Sequence, residues 1–164
     1  MRLVVADASP LHYLILVDAV DVPRHLFEKI YVPIEVCDEL TCPAAPAVVR
    51  TWMQRVPNWI DILPTPVFQS DDPALTTLDP GERAAIVLAE SLQADLLLID
   101  DRSGASAAQQ RGLIVTGTLG VLDLASRAGL LNLRSTFARL RKTNFRYPPS
   151  LIEKLLEEER ARRK

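Results

Sequence analysis

The sequence predicts a single α/β domain, a three-layer α/β/α sandwich around a mostly parallel sheet, and three features carry that expectation. Short apolar runs such as Leu3–Ala6 and Leu96–Ile99 lack polar alternation, as strands covered on both faces do. Segments of helix length with start and stop signals separate them. The chain has 164 residues, 48% of them hydrophobic, which supports one core and not two.

The elements follow in order. Leu3–Ala6 reads as a buried strand ending in Asp7. Ser9-Pro10 reads as an N-cap with proline at the first helical position, opening a helix through Ala19. Lys29–Val32 is a second strand, Pro33 starts a helix through Leu40, and Ala47–Val56 is a further helix. Trp59–Leu63 reads as an edge strand. Asp79-Pro80-Gly81-Glu82 is a complete helix start, with a cap, proline at N1 and Glu at N3. That helix runs to about Leu92. Leu96–Ile99 is the central strand, followed by Asp100-Asp101. A helix over Gly104–Arg111, a stop at Gly112 and a strand over Leu113–Val115 come next. Helices over Gly117–Arg127 and Leu151–Arg163 complete the series, with Gly129 ending the first of them. Residues 1–147 read as the domain. Residues 148–164 read as a C-terminal helix, part of the same domain or a partner-contacting extension.

Composition removes several classes of function. A net charge of −2 with abundant Leu, Ile, Val and Ala excludes a disordered chain. No apolar run approaches the ~20 residues of a membrane helix, and the N-terminus does not read as a signal peptide. Cys37 and Cys42 are too few for a disulfide framework and lack companions for zinc. These features fit a reduced, cytoplasmic protein. His12 and His25 lack the setting of a hydrolase triad, and no glycine-rich nucleotide cradle is present.

Charge is unevenly distributed. Residues 1–101 carry 6 Lys/Arg against 16 Asp/Glu, whereas residues 102–164 carry 13 against 5. One interpretation is two solvated faces that neutralise each other. The other is an acidic cluster holding cations beside a basic surface holding a polyanion. The stretch Arg134–Arg146 fits the second: five basic residues, no acid, and Phe137 and Phe145 interspersed to stack a base.

The acids themselves are placed where a parallel sheet binds ligands, just beyond strand ends. Asp7 and Asp100/Asp101 directly follow apolar runs. Capping by Asp7 is unnecessary if Ser9 caps, which leaves its carboxylate for a cation; the Asp pair could equally form a turn. Glu39 lies where a helix C-terminus disfavours negative charge, one turn after Glu35. Glu82 is accounted for by its capping box. Carboxylates without His or Cys partners select hard cations, Mg²⁺ or Mn²⁺, and two such ions can clamp a phosphodiester displacement.

Taken in order, Asp7-Ala8-Ser9-Pro10-Leu11, Val32-Pro33 with Glu39-Leu40, Gly81-Glu82 with Ala85-Ile86 and Leu88-Ala89, and Ile99-Asp100-Asp101 resemble a PIN domain. Gly117-Thr118-Leu119-Gly120 is similar to a bacterial and archaeal branch of that family. The resemblance implies a Mg²⁺- or Mn²⁺-dependent endoribonuclease, and many relatives are VapC-like toxins of type II toxin–antitoxin pairs that work as dimers. It places Asp7, Glu39 and Glu82 at the first three family carboxylates and the fourth at Asp100 or Asp101. A Thr stands two positions before the acid in the commoner toxin pattern; Ile99 holds that place here, which aligns Asp101 with the family acid. Asp100 would then cap the next segment or support the metal. The third acid is Glu where Asp is commoner.

The resulting expectation assigns catalysis to Asp7, Glu39, Glu82 and Asp101. Metal binding falls to Asp7, Asp100 and Asp101, and RNA binding to Arg102, Arg139, Arg141 and Lys142. RNA, an antitoxin protein and a second copy of the chain are the expected partners, without a membrane. The alternative is a PIN-fold module that binds nucleic acid or protein with little or no cutting. An aspartyl-nucleophile phosphohydrolase is disfavoured because Ser9 stands where that chemistry uses a second Asp.

Overall fold

The alternating side chains of short apolar strands separate two cores. Val4 and Ala6 enter one and Val5 the other; Leu96 and Leu98 are likewise opposed to Leu97 and Ile99. A computed structural model describes residues 2–68 and 71–164. Its strands are β1 (Val4–Ala6), β2 (Ile30–Pro33), β3 (Ile60–Leu63), β4 (Leu96–Leu98) and β5 (Val115–Thr116). They form one sheet in the order β3-β2-β1-β4-β5, with every neighbouring pair parallel.

The helices are α1 (Ala8–Leu16), α2 (Val22–Phe27), α3 (Ile34–Thr41), α4 (Ala47–Met53) and α5 (Pro73–Thr76). They continue with α6 (Pro80–Ser91), α7 (Arg102–Gln110), α8 (Thr118–Arg127), α9 (Leu133–Leu140) and α10 (Pro149–Arg162). Apolar residues of α5, α6 and α7 cover the Val5 and Leu97 face. The larger core on the other face takes residues from α1 to α4 and from α8 to α10, so the expected three layers form. Among the described residues, no helix is long and apolar enough to cross a membrane.

Strand order positions the site. From β1 the chain moves outward to β2 and β3, then returns to the other side of β1 as β4. The crevice at such a reversal opens beyond the strands' carboxyl ends. Asp7 follows β1 there, and its amide donates to the Leu98 carbonyl at 2.9 Å, holding the two strand ends together.

Three expectations need correction. Ser9 does not cap α1: the extended backbone of Asp7 (ψ 170°) puts that residue at the N-cap, and Ser9 lies inside the first turn. Helices α2, α5 and α9 were not expected. Of these α9 matters most, because it takes up half of the basic stretch Arg134–Arg146. Leu133, Thr136, Phe137 and Leu140 form its buried stripe, so Phe137, 1% exposed, cannot stack a base. Helix α10 packs on α8 and α9 through buried Ile152, and Arg127–Glu158 and Arg162–Asp123 ion pairs join it to α8.

Candidate active site

Helix α1 begins immediately after β1, which holds the Asp7 side chain at the cleft but largely out of solvent. Asp7 is 4% exposed, its side chain makes no capping hydrogen bond, and its Oδ1 has no hydrogen-bond partner. A buried acceptor left this way is costly unless something else satisfies it. Helices α3 and α6 bring Glu39 and Glu82 to the same cleft of about 640 Å³, with Asp79, Asp100 and Asp101 on its lining. Gly81 permits the approach. A Cβ on Gly81 would lie 2.8 Å from Glu39 Oε2, 3.5 Å from Asp79 Oδ1 and 3.6 Å from Asp7 Oδ1.

Crowded, partly desolvated acids hold their protons. Burial first, then the charges of Glu39, Glu82 and Asp79, push Asp7 up to about 8, with the Ala8 amide opposing in part. Burial, Asp79 and Asp101 push Glu82 up to about 7. Glu39 is raised by burial and then by Asp79. Asp79 is the acid that sequence reasoning passed over, because its cap role explained it fully. It does cap α6, accepting from the Glu82 amide at 2.8 Å, and it also charges the cleft. Glu35, one turn before Glu39, does not join them: it accepts from Thr65 Oγ1 at 2.7 Å.

The capping role expected of Asp100 falls to Asp101. Asp101 is the cap of α7, accepting from the Gly104 amide at 2.9 Å. Asp100 accepts three hydrogen bonds, from Ser9 Oγ (2.6 Å), Thr118 N (2.7 Å) and Thr118 Oγ1 (2.6 Å). Gly117 makes that possible, since a Cβ there would press on Asp100 Oδ1. The Gly117-Thr118 motif therefore serves as a seat for Asp100. Both aspartates still line the cleft.

Sequence comparison adds the family. A family model described as a PIN domain matches residues 3–160. The chain belongs to the PIN-domain family. No curated protein matches it.

In this PIN domain the four family positions expected at Asp7, Glu39, Glu82 and Asp100/Asp101 do converge on one cleft. Among the described residues no three His, Cys, Asp or Glu side chains already form a group that could hold a metal ion. The residues nevertheless suit a divalent cation in chemistry. Their donors are hard oxygens, they repel one another, and Asp7 Oδ1 is buried and unpartnered. Cys37 and Cys42 are both free.

The basic residues are scattered. Arg102 lines the cleft beside Asp101 and also a second groove between α5 and α7. Arg139 lies elsewhere, its Nε donating to the Val17 carbonyl at 2.9 Å, where it ties α9 to the end of α1. Arg141 and Lys142 are exposed and outside the cleft lining. The lining also includes His12, Tyr13, Asn144, Phe145 and Arg146. Of these Asn144, Phe145 and Arg146 belong to the basic stretch singled out in the sequence.

Proposed function

We propose that this PIN domain is a Mg²⁺- or Mn²⁺-dependent endoribonuclease, the toxin of a type II toxin–antitoxin pair, acting in the cytoplasm as a homodimer. The observation that supports the metal and the chemistry is Asp7: a buried carboxylate oxygen with no partner, among acids whose mutual repulsion a cation would relieve. The toxin assignment rests on the likeness of the motifs. Asp7 would hold the ion together with Asp100 or Asp101, while Glu39 and Glu82 complete its surroundings or orient the attacking water. Bound there, a divalent cation supplies an activated water and neutralises charge developing on the phosphodiester. Glu39 of α3 and Glu82 of α6 line the same cleft as Asp7, Asp100 and Asp101.

The test is cleavage of mixed RNA with Mg²⁺, with Mn²⁺ and with a chelator. Cutting in either metal, lost with chelator and in Glu39→Gln, is the expected result. Intact RNA in both metals, with RNA still bound, would instead assign a PIN-fold binding module.

A further inference from the structure

Six carboxylates line the cleft, from Asp7, Glu39, Asp79, Glu82, Asp100 and Asp101, and they would repel an RNA backbone. Any grip on the strand must come from elsewhere. Arg102 and Arg146 line the same cleft, and among the described residues neither forms an ion pair with these acids. Arginines left free beside so much negative charge are available to phosphates.

The wall carrying Arg146 is held in place by aromatic packing. Tyr13 Oη donates to Asn144 Oδ1 at 2.8 Å, the Phe145 ring meets Tyr13 edge-on at 4.8 Å, and Phe145 stacks on Tyr147 at 6.0 Å. His12, one position before Tyr13 on α1, is half-buried at the cleft and braced edge-to-face by Tyr13 at 4.7 Å. Among the described residues its ring nitrogens have no hydrogen-bond partner across the cleft. A braced flat ring and a free guanidinium lining one cleft can take one nucleotide, base on the ring and phosphate on the cation.

We propose that His12 and Arg146 form a nucleotide subsite for single-stranded RNA in the cleft, with His12 stacking a base and Arg146 binding a flanking phosphate. Tyr13 and Asn144 are positioning residues that hold the segment bearing Arg146 against α1. The proposal rests on the ribonuclease reading for its ligand and extends it to the strand's seat.

Fluorescence anisotropy with a labelled single-stranded oligoribonucleotide in millimolar Ca²⁺ tests it, beside the same oligomer carrying abasic positions. His12→Ala should weaken binding of the intact strand roughly ten-fold and leave the abasic strand unaffected. His12→Phe should restore the affinity, because any aromatic ring can stack. Arg146→Ala should weaken both strands and lower the salt slope by about 0.7. Unchanged affinity in His12→Ala, or an equal loss on the abasic strand, overturns the stacking role. An unaltered salt slope in Arg146→Ala overturns the phosphate role. Binding that follows this pattern without metal-dependent cleavage removes the nuclease reading and keeps the subsite. Cleavage by a chain whose RNA affinity ignores both substitutions does the reverse.

Discussion

At the scale of single residues, Asp7 decides how the protein responds to pH. Its carboxyl is raised from 3.8 to about 8, and that of Glu82 from 4.5 to about 7, so the folded chain holds protons that the unfolded chain releases near pH 4 to 5. The folded state then binds more protons across that window, and stability falls as pH rises through it. Melting in chelator should show a Tm several degrees lower at pH 8.5 than at pH 5, with most of the difference gone in Asp7→Asn. A Tm rising with pH would contradict the burial argument. The aspartate pair is separable too. Asn caps a helix about as well as Asp, so Asp101→Asn should leave the Tm nearly unchanged while removing metal-dependent cleavage. Asp100→Asn keeps an oxygen for the Thr118 amide but removes the acceptor of the Ser9 and Thr118 hydroxyls, and should destabilise by about 1–3 kcal/mol with a partial loss of cleavage. Melting and RNA cleavage of the two variants side by side would show a reversed assignment directly.

At the scale of elements, the start of α6 shows why some of the site was legible and some was not. Asp79-Pro80-Gly81-Glu82 announces a helix start, and the cap forms as expected. The same local sufficiency hid Asp79, whose second role exists only because α3 delivers Glu39 to the same place. Gly81 reads as a tolerated glycine until the acids around it are seen. Gly81→Ala should keep or slightly raise the Tm, since Ala favours helix over Gly by up to about 1 kcal/mol. Its methyl should displace the Glu39 carboxylate and reduce cleavage at least ten-fold. Normal cleavage in that variant would show that Glu39 is not needed where it lies. Helix α9 gives the converse lesson. Its stripe at 133, 136, 137 and 140 is present in the sequence, but the charges between those positions read as a phosphate-tracking segment with its aromatics free to stack.

At the scale of the molecule, strand order turns separate motifs into one cleft. The apolar runs and helix starts implied the layers, and carboxylates after strands implied a site at the carboxyl edge. The meeting of α1 with residues 144–146 spans more than 130 positions, so although Phe145 and Arg146 stand out in the sequence, nothing local shows that they join α1 at the cleft. The uneven charge of the two halves is only partly functional: ion pairs join α10 to α8, and Arg139 anchors α9. The central claim is that the buried acid of Asp7 is there for a cation, and thermal melting with Mn²⁺ at pH 8 addresses it most directly. Selective binding at 100 times Kd stabilises by about 2.7 kcal/mol, or roughly 5–10 °C for a chain of this size. The wild-type protein should show that rise, whereas Asp7→Asn should melt higher than wild type in chelator and not respond to Mn²⁺. A wild-type curve unmoved by millimolar Mn²⁺, or an equal shift in Asp7→Asn, would contradict it.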